Sequence, residues 1–233
     1  MWQRLAKGVD SRSTVTGALG IVMALSLVCS MSIQFGHADV PVAENADMIE
    51  PLEVGERAPH FVVRTAGGEA FDFDPRQLER PAVLISFRGG WCPYCNMHLS
   101  ELKDVVPEID ALGVDVLFLS GDRPDLLYKS LKRETQDDIA NLDYTILSDA
   151  DAQAAIAFGT AFKAAQTTID RRLQKGQDIG KSSMALHGVL PVPSVYAVDG
   201  EGMIAFAYVN ADYKIRLPAD ELLQVATEMA DSK

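Results

Sequence analysis

The sequence predicts one α/β domain, a central mixed sheet flanked by helices, behind an N-terminal export segment. Three observations point there. Apolar runs of strand length alternate with helix-like stretches from Ala58 onward, and a turn-rich hairpin stands at each end of that alternation. A Cys-x-x-Cys pair, Cys92 and Cys95, falls where the first long apolar run gives way to a helix.

Taken in order, residues 61–64 and 70–73 flank Gly67-Gly68, a strong turn signal, and read as a short hairpin. Ala82 to Phe87 is a buried core strand. A long helix is expected from Pro93 to Leu112, with apolar residues at Leu99, Leu102, Val105, Val106 and Ile109 and with Gly113 as its stop. Val114 to Leu119 is a second buried strand. Asp122 with Pro124 opens a helix carrying Leu126, Leu127 and Leu131. Tyr144 to Leu147 makes a third strand, and Ser148 or Asp149 caps an Ala-rich helix ending at Gly159. Within 160–190 only Thr167 to Lys175 reads as helical, and the rest as loop. Ser194–Val198 and Met203–Val209 form a hairpin through Asp199-Gly200-Glu201-Gly202, and Pro218–Met229 closes the chain as a helix.

The first 38 residues differ in kind. Arg4, Lys7 and Arg12 give a basic start, Val15 to Cys29 is almost wholly apolar, and Gly36-His37-Ala38 places small residues where a signal peptidase cuts. The apolar run is 15 residues, short of the roughly 20 that a spanning helix needs. An export signal over 1–38 is therefore expected, with a periplasmic protein behind it. Contact with a membrane is expected only if that segment is retained as an anchor. Residues 39–57, acidic and Pro-containing, read as a leader, and 58–233 as the folded domain. Loss of residues 1–38 removes Arg4, Lys7, Arg12 and Asp10 from 21 basic and 33 acidic residues, taking the formal charge from −12 to −14. Such a surface argues against nucleic acid and anionic membranes as partners. Cys29 lies in the signal, so the domain keeps only Cys92 and Cys95, and two cysteines three apart cannot staple a fold across long range.

Their place does suit chemistry. Thiols at a helix start feel the positive end of the peptide dipoles, which favours the nucleophilic thiolate. One turn apart on one face, they can also close a reversible disulfide. Strand, helix, strand, helix, strand, then hairpin and helix is the thioredoxin-like plan, with the first two core strands parallel through a right-handed crossover.

The chain resembles the peroxiredoxin-like branch of the alkyl hydroperoxide reductase/thiol-specific antioxidant family. The likeness rests on Phe87-Arg88-Gly89-Gly90-Trp91-Cys92-Pro93-Tyr94-Cys95, Leu147-Ser148-Asp149, Leu190-Pro191-Val192-Pro193 with Tyr196-Ala197-Val198-Asp199, and Asp212-Tyr213 with Arg216. It implies a thioredoxin-like fold and thiol-dependent reduction of a hydroperoxide or a disulfide. Electrons would come from a thioredoxin-like dithiol partner, with no cofactor. There is a departure. Peroxiredoxins proper carry a Pro and a Thr or Ser seven and three residues before the peroxidatic cysteine. Here those places hold Arg88 and Cys92 if that cysteine is Cys95, or Ile85 and Gly89 if it is Cys92. The Arg that peroxiredoxins place ahead of a late core strand is also missing from Leu190-Pro191-Val192-Pro193-Ser194.

Both assignments of the cysteines stay open. In a thioredoxin-type mechanism Cys92 is the more exposed thiol and attacks, and Cys95 resolves; in a peroxiredoxin-type mechanism Cys95 becomes the sulfenic acid and Cys92 condenses with it. Around them, Arg88 could lower a cysteine pKa or polarise a peroxide oxygen, or simply face solvent. Trp91 could wall the site or only pack, and Pro93 and Tyr94 tune the redox potential through the helix start. Pro193 is the candidate for the cis-proline that faces the active disulfide in such folds, with Pro191 its rival. His98 could shuttle protons, or hold a soft metal such as copper with Cys92 and Cys95, which is the reading from a different functional class. Glu101 is a further possible proton acceptor, and Tyr213 with Arg216 match the family pattern while being equally able to pack the last helix.

Overall fold

A computed structural model describes residues 42–231, apart from 143, 178, 180 and 181. Seven strands form one sheet: β1 (Phe61–Arg64), β2 (Ala70–Phe73), β3 (Ala82–Phe87), β4 (Asp115–Ser120), β5 (Thr145–Ser148), β8 (Ser194–Val198) and β9 (Ile204–Val209). Their spatial order is β2-β1-β5-β4-β3-β8-β9. The buried β3, β4 and β5 run parallel, and β8 joins β3 antiparallel with Ala82 opposite Val198 and Ser86 opposite Ser194. This is the expected thioredoxin-like plan, mixed sheet and terminal hairpin included.

The two-residue alternation of strands explains the core. Val83, Ile85 and Phe87 point to one face, where they meet Leu99, Ile109, Leu222 and Val225. Ala82 and Leu84 point to the other, where Phe61, Phe158 and Tyr196 lie. Helices therefore cover both faces, as nearly continuous apolar parallel strands require.

Four expectations are corrected. The long helix is two: α1 (Pro93–Glu101) and α2 (Val106–Ala111), separated by turns. Pro107 has no N–H to give the preceding turn, so it can only sit at a helix start. The helix expected after Pro124 is a single 3-10 turn, Pro124–Leu126, and the true helix is α3 (Arg133–Ile139), in which only Thr135 and Ile139 are buried. Next come α4 (Gln153–Ala157), where Asp149 accepts from the N–H groups of Ala154 and Ala155 as expected, and β6 (Ala161–Lys163). After the expected helix α5 (Gln166–Gln174), residues placed in loop form α6 (Ser183–His187) and β7 (Val189–Pro191). β6 and β7 pair as a small second sheet. The closing helix is α7 (Ala219–Asp231).

The fourth correction concerns the leader. Its described part, from Val42, is hydrogen-bonded to the domain: Ala43 to β6, Leu52 to Phe158 and Gly55 to Ile204. A Cβ on Gly159 would strike the Glu50 carbonyl, so this approach depends on a residue without a side chain. The export signal expected over 1–38 lies outside the described residues. Among the described residues no helix is long and apolar enough to cross a membrane.

Candidate active site

β3 and β4 are parallel, with Phe87 level with Ser120, so the loops that follow them emerge side by side. Asp122 on the second loop reaches the first. Its Oδ2 accepts from the Gly90 N–H at 2.7 Å and from Ser130 Oγ at 2.7 Å. Asn96 closes the structure from the helix side, donating to the carbonyls of Gly90 (2.7 Å) and Cys92 (2.9 Å) and accepting from the Lys132 N–H at 2.7 Å. Both side chains are buried. Together they clamp the glycine loop against the start of α1 through Asp122 Oδ2 and both ends of the Asn96 amide, while Asp122 Oδ1 is buried without a partner among the described residues.

Cys92 is the extended residue capping α1, with Pro93 at the first helical position. Its carbonyl accepts from the N–H groups of Cys95 and Asn96. Both thiols are free and each is 1 % exposed, so exposure does not distinguish them. What separates them is their proton affinity. The hydrogen bond from the Cys95 side chain pulls the Cys92 thiol down to about 6. Burial opposes this shift, while the Cys95 backbone N–H and the charges of Arg216 and Arg88 add to it. Burial pushes Cys95 well above the ordinary thiol range, and the neighbouring Cys92 sulfur adds to that. Near neutral pH the pair is therefore a thiolate at Cys92 held by a thiol at Cys95.

Two arginines stand on aromatic rings, and a third reaches a thiol. The Arg88 guanidinium lies 4.0 Å from the centre of the Tyr213 ring and 5.6 Å from that of Phe162. Arg216 directs Nη2 at the Cys95 sulfur, 3.7 Å away, and Tyr213 meets Tyr94 edge-on at 5.6 Å. The Tyr213/Arg216 pair thus reaches the dithiol itself. Trp91 is half-buried beneath Arg172, whose guanidinium lies 4.6 Å from the ring centre.

Pro193 is buried in the two-residue link between β7 and β8. Because Ser194 pairs with Ser86, the antiparallel register sets Pro193 level with Phe87, just before the redox loop. Its rival Pro191 is occupied in β7, opposite Ala161. His98 is buried, and desolvation drops its pKa to about 4, with Arg216 contributing, so it is neutral at pH 7 and a weak proton acceptor there. Glu101 faces solvent. Among the described residues no group of three or more His, Cys, Asp or Glu is placed to hold a metal ion. Cys92, Cys95 and His98 do not form such a group.

Sequence reasoning missed Asp122 and Asn96 as parts of this site. The signal for Asn96 was its position four residues after Cys92, one turn on along the same face. In sequence Asp122 reads only as a helix start, because its partner, Gly90, is 32 positions away in the chain.

Residues 54–207 match the model of the AhpC/TSA family. The chain belongs to that family. This membership makes it a peroxiredoxin-like thiol oxidoreductase. Peroxiredoxin Bcp of Escherichia coli K12 is 32 % identical over 111 residues, which are 48 % of this chain and 67 % of that protein. Thiol-disulfide oxidoreductase ResA of Bacillus anthracis is 22 % identical over 168 residues, 72 % of this chain and 76 % of the relative. Among solved structures, the peroxiredoxin-like protein of Aquifex aeolicus superposes with a TM-score of 0.57 at 18 % identity. The match covers 81 % of this chain and 98 % of that one, and supports the family's fold.

Proposed function

We propose that this enzyme reduces hydroperoxides, with Cys92 as the attacking thiolate, Cys95 as the resolving thiol and a thioredoxin-type dithiol as the electron source. The inequality of two adjacent buried thiols carries this reading: one is held as thiolate near pH 6 and the other is kept protonated against it. The chemistry needs that order. The Cys92 thiolate attacks the terminal peroxide oxygen, the O–O bond breaks, and the alkoxide takes a proton and leaves as the alcohol. Cys92 is left as a sulfenic acid. The Cys95 sulfur then gives up its proton and attacks the Cys92 sulfur; the S–O bond breaks and water leaves. The net change is one hydroperoxide reduced to alcohol and water and one dithiol oxidised to a disulfide, which an outside dithiol reopens by exchange. Arg88 and Arg216 supply positive charge beside the thiolate, where this chain has neither the hydroxyl nor the strand arginine of peroxiredoxins proper.

Burial of both sulfurs favours a small substrate over a protein disulfide in the first step. The basic start and 15-residue apolar run of the N-terminus support an exported, periplasmic site of action.

The test is to mix the reduced full-length chain with hydrogen peroxide or cumene hydroperoxide in a stopped-flow instrument and to follow intact mass. A Cys92–Cys95 disulfide should form far faster than free cysteine oxidises. Oxidation no faster than that of free cysteine, together with rapid exchange with a protein disulfide, would make the protein a thiol–disulfide exchange factor instead. The rate should also report Cys92. Thiolate is the reactive form, so the single-turnover rate should fall as pH drops through about 6 and level off above it. Arg216→Gln removes a charge that favours the thiolate, so its rate profile should shift to higher pH.

A further inference from the structure

A cavity of about 800 Å³ opens at the end of the sheet opposite the thiols. Ala82 and Asp115, the first residues of β3 and β4, line it, whereas Phe87 and Ser120 at the other ends lead into the redox site. Each strand has six residues, so on the order of 16 Å of strand separates the two places. Parallel strands need cover on both faces, and here one face is thinly covered. α4, which contributes Ala154 to that side of the core, has only five residues and packs chiefly on β1. Toward the strand starts, Phe71, Leu78 and Leu142 are left half-buried around the cavity.

Its mouth is acidic. Asp72, Asp74, Asp110 and Asp115 come from β2, the loop after it, α2 and β4, and all four line the cavity. Arg76 holds Asp74, Arg80 holds both Asp110 and Asp115, and His60 meets Asp72. Neither arginine lines the cavity, and among its described lining residues there is no lysine or arginine. Four carboxylates set against two guanidiniums leave two in excess at one opening.

We infer that this cavity binds a small organic cation on an apolar body. The head, an amine or guanidine, lies among Asp72, Asp110 and Asp115, and the body lies against Phe71, Leu78 and Leu117. An acidic surface draws cations everywhere, but weakly, because salt screens exposed charges. Enclosure is what this place adds. Its volume is that of a small-molecule site. An apolar body that leaves water there carries the cation to carboxylates with which it forms charge-assisted hydrogen bonds. The site is separate from the dithiol, so the inference stands whether the chain reduces hydroperoxides or exchanges disulfides.

4-Phenylbutylamine, 4-phenylbutanol and 4-phenylbutyrate share one body and differ in charge. In calorimetric titration of the full-length chain the amine should bind about tenfold more tightly than the alcohol, the gain of a charge-assisted hydrogen bond, and the carboxylate should not bind measurably. Asp72→Asn combined with Asp110→Asn should bring the amine to the affinity of the alcohol. Both side chains are more than half exposed, so these changes do not open the core. Thr145→Trp sets an indole in the cavity from an exposed position and should abolish binding of amine and alcohol alike. Asp220→Asn combined with Glu221→Gln removes as much charge from the exposed start of α7 and should leave the preference for the amine intact. Equal binding of amine and alcohol by the unaltered chain, or a preference that survives the loss of Asp72 and Asp110, would overturn the inference. So would amine binding unchanged in folded Thr145→Trp. Absence of amine binding would overturn it too, and binding of a lysine–leucine peptide in its place would assign the opening to a basic protein segment.

Discussion

Cys92→Ser should abolish peroxide turnover, by on the order of a thousandfold or more, whereas Cys95→Ser should keep the first oxidation and lose the second. A serine hydroxyl is not ionised near neutral pH, so everything that favours the Cys92 thiolate has nothing to act on in the first variant. The remaining Cys95 is a poor substitute, because burial, the largest influence on it, still holds it protonated. In Cys95→Ser the hydroxyl can still donate to the Cys92 sulfur, so attack proceeds and stops at the sulfenic acid. Intact mass after one equivalent of peroxide should show a single added oxygen in Cys95→Ser, trapped by dimedone, and no such adduct at Cys95 in Cys92→Ser. The opposite pattern would exchange the roles of the cysteines and make this a site in which the inner sulfur meets the peroxide. Cys95→Ala goes further. It deletes the hydrogen bond that contributes most to lowering Cys92, so its rate should need a higher pH to reach the same plateau.

Much of this architecture is legible in the chain because burial on two faces leaves a plain mark. The runs Ala82–Ile85 and Val116–Leu119 are apolar throughout, as suits strands covered by helices on both sides. Gly67-Gly68 and Asp199-Gly200 mark their hairpins through turn chemistry alone. The helices are less plain. Apolar residues continue at helical spacing from Leu99 to Ile109, straight across the turn between α1 and α2, since both segments face one core; the break is written only in Pro107. α3 carries two buried residues in seven and hence no stripe to read. β6 and β7 have three residues each, too few to show a period. At the site, Cys92 and Cys95 declare themselves by spacing, but the relation between them does not. It arises from burial, from one hydrogen bond and from Arg216, 121 positions away. Asp122 escapes for the same reason, its partner Gly90 being brought to it by the parallel pairing of β3 and β4.

The glycine loop shows how tightly that pairing holds the chemistry, and Gly90→Ala should be costly to both stability and rate. A methyl group on Gly90 would lie 2.5 Å from the Ser130 carbonyl carbon and 2.6 Å from the Leu131 nitrogen, and would strike Ser130 Oγ as well. Two of these are backbone atoms, which cannot turn aside as a side chain can. The loop cannot easily move either, because the Gly90 N–H is held by Asp122 and its carbonyl by Asn96. Relief therefore requires either the Ser130–Leu131 segment to shift or two buried hydrogen bonds to break. Overpacking of this kind costs about 1–3 kcal/mol, and more where backbone must yield. For a domain of this size 3 kcal/mol is about 6–12 °C of melting temperature. Gly200→Ala is the matched control: nothing lies within 4 Å of its added carbon, and its melting temperature should stay close to that of the unaltered protein. The catalytic consequence is distinct from the loss of stability. Any displacement of Gly90 carries Arg88 and Cys92 with it, each two residues along the chain, and loosens the charge and hydrogen bond that hold the thiolate. The surviving folded Gly90→Ala protein should therefore react more slowly at pH 6–7 and recover part of its rate at higher pH. A folded variant with an unshifted pH profile would show that Asp122 and Asn96 hold the loop for stability alone, and that the thiolate is set by α1 and the arginines without it.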